Sequence, residues 1–148
     1  GRDNRLAYRI ARRDAYNRDA ELASVVSNLS TEPHATGEMR EVAFRLLCLH
    51  HTFTSYISAL GAHREKLSDT TILNLLDDAG CYVDDAFHHP RDSETRVQSA
   101  LAELLVRIRT IEPGSESKAP LVLQQLGLML SLLPEICRLQ QQVLPAAE

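Results

Sequence analysis

The chain has 148 residues, 44% hydrophobic and 24% charged, a balance that suits one globular domain and excludes a disordered chain. A chain of this length can bury a core without disulfide or metal staples. The net charge of −4 is uneven: residues 1–18 hold six Arg against Asp3 and Asp14 (+4), and the remainder holds ten basic against eighteen acidic groups (−8), an acidic body that argues against nucleic acid as a partner.

Leu and Ala dominate, aromatics are 5% and Trp is absent, which favours helices. The first predicted helix runs from about Asn4 to Leu29, with Leu22, Val26 and Leu29 marking its buried stripe. Pro33 ends it, because proline disfavours helical backbone in the residue before it. The second runs from about Glu38 to Ala62. Its apolar residues Val42, Leu46, Leu49, Phe53, Tyr56 and Leu60 recur at alternating spacings of four and three, the pattern of a bundle seam. Gly61 either weakens its last turn or admits a close neighbour. Ser68 or Asp69 caps a third helix, Thr70 to His88, with stripe Ile72, Leu76, Ala79, Val83 and Phe87, and Pro90 stops it. Asp92 or Ser93 caps a fourth, Glu94 to Ile111, with seam Val97, Leu101, Leu104, Ile108 and Ile111; Leu101→Asp is expected to unfold the domain. Glu112-Pro113-Gly114-Ser115 is a turn. A fifth helix starts near Ala119, with Pro120 suited to its first turn, and reaches about Val143. Pro134 should kink it or split it after Leu133. Short connections between long helices favour antiparallel neighbours. The expected fold is all-α, an up-and-down antiparallel bundle of four to five helices forming one domain over residues 1–148. No run of 18 apolar residues exists, so no segment is expected to span a bilayer, and no signal peptide is visible.

Cys48, Cys81 and Cys137 are far apart and odd in number, which points to a reducing compartment and to buried thiols. An acidic and histidine cluster, Asp77, Asp78, Asp84, Asp85, His88, His89 and Asp92, holds two pairs, Asp84 with His88 and Asp85 with His89, at the four-residue helical spacing that can present metal ligands on one face. No Glu-x-x-His motif accompanies them, so a solvated helix face is the plainer reading and a metal-binding bundle the alternative. Neither double histidine, His50-His51 or His88-His89, is followed by an acid at the spacing acyl transfer needs. Ser55 is four residues from His51, but a mid-helix serine has no free amides for an oxyanion. No Gly-rich phosphate loop, H-E-x-x-H or G-x-S-x-G occurs. The reading is no enzyme: no catalytic residue, no cofactor and no metal.

Arg2, Arg5, Arg9 and Arg12, spaced three, four and three, line one helical face, with Arg13 and Arg18 nearby. Such a stripe is either a solvated face paired partly with the domain's own acids or a contact for anionic lipid headgroups, and basic residues beside a spanning helix obey the positive-inside rule.

Two stretches carry a resemblance. One is Arg12-Arg13-Asp14-Ala15-Tyr16-Asn17-Arg18-Asp19-Ala20, continuing through Ser27-Asn28-Leu29 to Glu32-Pro33. The other is Phe44-Arg45-Leu46-Leu47-Cys48, followed by His51-Thr52 and Ser55-Tyr56-Ile57-Ser58-Ala59-Leu60-Gly61-Ala62-His63-Arg64. Together they resemble the C-terminal soluble region of YccS/YhfK-type bacterial inner-membrane proteins, of the fusaric-acid-resistance-like group related to aromatic carboxylic acid exporters. The resemblance is strongest over residues 10–65; beyond them only the helical pattern matches. It implies a cytoplasmic domain of an inner-membrane efflux-type transporter, partnered by the rest of its own chain and by further copies. It brings no catalytic residue. Asn17, Asp19, Glu32, His51, Ser55, Tyr56, His63 and Arg64 look like its signature positions, forming a polar network between the first two helices or, alternatively, a regulatory small-molecule site near His51, Tyr56 and His63.

Overall fold

The computed structural model describes the backbone of residues 2–88, 94–112, 114 and 116–143, and side chains from residue 6 onward except at 7 and 94–97. Among them are five helices and no strand: α1 (Arg2–Thr31), α2 (Gly37–Arg64), α3 (Thr70–His88), α4 (Glu94–Thr110) and α5 (Ala119–Val143). The chain is all-α, as its composition and punctuation imply. Thr36 caps α2, its side chain accepting from the Met39 N–H at 3.1 Å. At α3 the cap is Asp69, whose Oδ1 accepts from the N–H of Thr71 at 2.9 Å and of Ile72 at 3.3 Å. Ser68 has a different partner: the Glu116 carboxylate accepts from its N–H and its hydroxyl, each at 2.8 Å, and also from the Asp69 N–H. One side chain thereby ties the α2–α3 connection to the run-in of α5. Gly114 has φ of 64°, a left-handed turn residue that glycine adopts without strain. The expected stop and caps at Pro90, Asp92 and Ser93 lie outside the described residues.

α5 runs unbroken through Pro134, so the helix does not split after Leu133. The fully buried Leu130, Leu133 and Ile136 on either side hold it by packing. Contrary to the sequence reading, α5 is long and apolar enough to cross a membrane by length and composition. In the bundle its apolar face is occupied: Val122, Leu126, Met129, Leu130, Leu133 and Ile136 are completely buried. Each fully buried Leu or Ile contributes about 1.5–3 kcal/mol.

α1 packs against α2 and α3, α5 closes the ring against the same two helices, and α4 lies outside on α3 and α5. α1 and α2 run antiparallel, since Tyr8 meets Ile57, Asp19 meets His51 and Leu29 meets Arg40. α2 and α5 also run antiparallel: Arg45 pairs with Glu135 at 3.2 Å, and Met39 and Val42 share a groove with Gln142 and Val143. α1 and α3, however, run in the same direction: Tyr8 lies against Gly80, and Asp14 against His88. The antiparallel rule therefore holds for consecutive helices and not for every packed pair. The α1–α3 approach is very close. A Cβ on Gly80 would sit 2.9 Å from the Tyr8 Cα, and Ala11, Ala15 and Ala79 are completely buried nearby.

The buried stripe of α2 is rotated from the predicted one. Ala43, Leu46, His50, Phe53, Ile57 and Leu60 face the core, and Val42, Leu49 and Tyr56 are half-buried. On α1 the buried residues are Tyr8, Ala11, Ala15 and Leu22; Val26 and Leu29 are half-buried. On α4, Leu104 is the buried anchor and Leu101 is only half-buried.

Candidate functional site

Three polar clusters lie along α1, where it faces α2 and α3. The first is near its start. The Tyr8 hydroxyl donates to the Ile57 carbonyl at 2.7 Å in the core, and burial holds the phenol well above its usual pKa. At the last residue of α2, Arg64 forks onto Asp77 of α3, Nε to Oδ1 and Nη2 to Oδ2, both at 2.8 Å. These side chains are 13% and 5% exposed, so this is a buried ion pair with both partners well bonded. Arg12 extends across Gly61, whose missing Cβ would lie 3.5 Å from Nη1. It also reaches the Ser58 hydroxyl at 3.5 Å, and Ser58 is joined to the Tyr16 hydroxyl at 2.6 Å. Arg9, Arg12 and Arg64, with Tyr8, Glu65 and Leu67, line much of a cavity of roughly 320 Å³.

The second cluster joins Asp14 of α1 to Asp84 and His88 of α3. His88 Nδ1 donates to the Asp84 carbonyl at 2.8 Å and lies 3.2 Å from the Asp84 carboxylate; Nε2 is 3.7 Å from Asp14. Burial raises the Asp84 pKa, and the His88 charge opposes that rise. One ligand atom from each of the three lies within 4.8 Å of the others. Of the four residues of the metal alternative, Asp84 and His88 thus meet, Asp85 is exposed and lines with them and Asp14 a second, open cavity, and His89 lies outside the described residues.

The third cluster centres on Asp19, which bridges adjacent histidines. Its Oδ1 lies 3.4 Å from His50 Nδ1, and its Oδ2 lies 3.2 Å from His51 Nδ1. Consecutive positions on a helix point in different directions, so His50 is completely buried and His51 is exposed. His50 packs against Phe53 and Phe87, and its Nε2 is buried without a hydrogen bond. Since a carboxylate only accepts, the His50 proton resides on Nδ1, and a second proton on Nε2 would have no partner. Burial accordingly depresses the His50 pKa, more than the Asp19 charge raises it.

The eight signature positions are distributed over separate places. Asp19 and His51 meet, whereas Arg64 belongs with Asp77. His51 and His63 are twelve residues apart on one helix, about 18 Å at 1.5 Å per residue. Ser55 donates to the His51 carbonyl at 3.0 Å. Tyr56 and His63 are half-buried, and Asn17 is exposed. Glu32 stays at the α1 C-terminus, its carboxylate accepting from the His34 N–H at 3.4 Å. Its carbonyl and that of Leu29 accept from Arg40 at 2.9 and 2.8 Å, so Arg40 satisfies the end of α1. Of the arginine stripe, Arg9 and Arg12 are exposed, and the side chains of Arg2 and Arg5 lie outside the described ones. Tyr8, Asp14 and Gly80 were missed as site residues; in sequence His50 stands out only within a double histidine and Asp77 only within an acidic cluster, although an acid beside Leu76 in the apolar stripe of α3 is a signal of burial.

The cysteines form no disulfide. Cys137 is half-buried, and burial pushes its thiol up to about 11. Cys48, expected inside, is exposed.

No protein-family model and no solved structure matches the chain. Two relatives do. The chain is 41% identical over 69 residues, 47% of its length and 10% of the relative's, to an uncharacterized protein of Haemophilus influenzae. It is 68% identical over 143 residues to the inner membrane protein YccS of Escherichia coli, a match covering 97% of this chain and 20% of that protein. The likeness therefore extends well past residue 65, through the later helices. This chain, spanning about a fifth of that relative's length, is a fragment of a YccS-type protein.

Proposed function

We propose that the chain is a non-catalytic cytoplasmic domain of a bacterial inner-membrane efflux-type transporter, supporting its assembly, oligomerisation or gating. The observation that carries this reading is the 68% identity over 97% of the chain to an inner membrane protein five times its matched length. The Arg-rich start favours the cytoplasmic side of a membrane and, through Arg2, Arg5, Arg9 and Arg12, contact with an anionic lipid surface. Three widely separated cysteines suit the same reducing compartment. The buried polar groups fix how helices meet, which is a structural use of charge. Leu121 and Leu128, seven residues apart on α5, are 44% and 48% exposed and leave apolar surface for assembly.

The test uses the full-length protein. A fluorescent reporter joined after the domain should glow, and a phosphatase that works only in the periplasm should stay inactive there; the opposite pattern places the domain outside the cytoplasm. In detergent, Leu121→Glu/Leu128→Glu should reduce the assembly measured by light scattering. An unchanged mass removes that face from the assembly.

A further inference from the structure

We propose that the cavity between the start of α1 and the end of α2 is a binding site for a phosphate group, carried either by a lipid headgroup or by a soluble phosphate ester. Arg9 and Arg12 lie one turn apart on α1 and reach the cavity from one side, and Arg64 closes it from α2. Asp77 takes the Nε–H and one Nη2 N–H of Arg64, which fixes the guanidinium and leaves three of its five N–H groups. Arg12 lies directly across α2 at Gly61, where a Cβ would sit in ordinary van der Waals contact 3.5 Å from its Nη1. No carboxylate pairs with Arg9 or Arg12 among the described residues. Glu65 is the acid on the wall, so three guanidiniums face one carboxylate, with Asp77 behind.

Arg9 and Arg12 belong to the +4 segment of residues 1–18, and with Arg64 they make a locally cationic recess that favours an anion. The planar forks of arginine match the oxygen geometry of phosphate. The Tyr8 hydroxyl is committed to the Ile57 carbonyl, so the arginines are the donors. Leu67 and Leu73 give the cavity an apolar wall, and roughly 320 Å³ accommodates a phosphate with part of the group that carries it. The site shares Arg9 and Arg12 with the lipid contact proposed above but does not depend on it.

The experiment titrates the purified chain with inorganic phosphate and glycerol phosphate, following arginine and glycine amide signals by NMR. In parallel it measures co-sedimentation with vesicles of phosphatidylglycerol in phosphatidylcholine and of phosphatidylcholine alone. Arg9→Gln/Arg12→Gln is compared with the charge-matched Arg13→Gln/Arg45→Gln, each checked for a cooperative melt. Saturable shifts at Gly61, weakened about tenfold or more in the first variant and unchanged in the second, are expected. If anionic vesicles follow the same ranking, the phosphate belongs to a lipid. If vesicles are ignored while phosphate binds, the ligand is soluble: the cavity stands and the lipid-surface reading falls. Absent shifts at Gly61, or equal weakening in both variants, overturn the site and leave diffuse charge attraction.

Discussion

The Arg64–Asp77 pair and the Asp19–His50 contact interrupt the same core, yet they are completed to different degrees. Arg64 and Asp77 meet through two bonds of 2.8 Å that occupy both carboxylate oxygens. His50, completely buried, reaches Asp19 at a long 3.4 Å and leaves Nε2 with nothing. A charged pair joined by two short bonds locks two helices together and becomes costly when one partner is taken away. A buried imidazole with one bare nitrogen is tolerated only in its neutral form. The first contact is thus a fixed joint, and the second is sensitive to protons.

The largest effect is expected at the fixed joint. Asp77→Ala should cost about 3–5 kcal/mol in denaturant unfolding, because it strands a buried guanidinium. The double variant Arg64→Met/Asp77→Leu should recover most of that. A loss below about 1 kcal/mol for the single variant would mean that Arg64 rehydrates freely and the joint is not fixed.

Next comes the close approach beside it. Gly80→Ala places a Cβ 2.9 Å from the Tyr8 Cα, so backbone has to move and a loss of about 1–3 kcal/mol is expected. A crystal structure of that variant should show α1 displaced from α3; an unmoved, equally stable variant would refute the close contact.

The third effect sharpens the other half of the comparison. The pKa of His50 is depressed below the usual histidine value of 6.5, burial being the first cause. The unfolded chain therefore takes up this proton at higher pH than the folded one. The stability tied to neutral His50 is whole above the unfolded pKa and is lost as pH falls through the folded pKa. Melts from pH 8 down to pH 5 should show this loss, and His50→Leu should flatten the slope. The same slope in both proteins would assign the sensitivity to carboxylates held below their usual pKa, such as Glu116 bonded to Ser68. The smallest effect belongs to the surface: Cys48→Ser should change stability by no more than about 0.5 kcal/mol, since Cys48 is exposed.

Helix positions were legible because proline, glycine and capping residues mark their ends by backbone chemistry alone. Thr70 and His88 bound α3 as read, and Ala119 and Val143 bound α5. The facing of α2 was less legible. A stripe through Val42, Leu49 and Tyr56 is the more apolar choice, but α2 must meet α1 on one side and α5 on the other. That demand turns His50 and Ile57 inward. Among the polar residues, Arg64 was visible and its partner was not. Asp77 stands in an acidic stretch with Asp78, Asp84 and Asp85, and only the tertiary fold separates the buried acid from its half-buried and exposed neighbours. Gly80 reads as a helix weakness in sequence, yet in space it admits the backbone of α1.

The position of α4 outside the ring has a topological consequence. Glu116, just before α5, bonds to Ser68 and Asp69, just before α3, so the chain has to travel back along the bundle between the end of α3 and the start of α5. α4 makes that journey. Its task is to cover distance in the right direction, with Leu104 as its buried anchor. A segment chosen for reach tolerates changes in length and surface composition that the four ring helices do not, and α4 is where related chains should vary most freely.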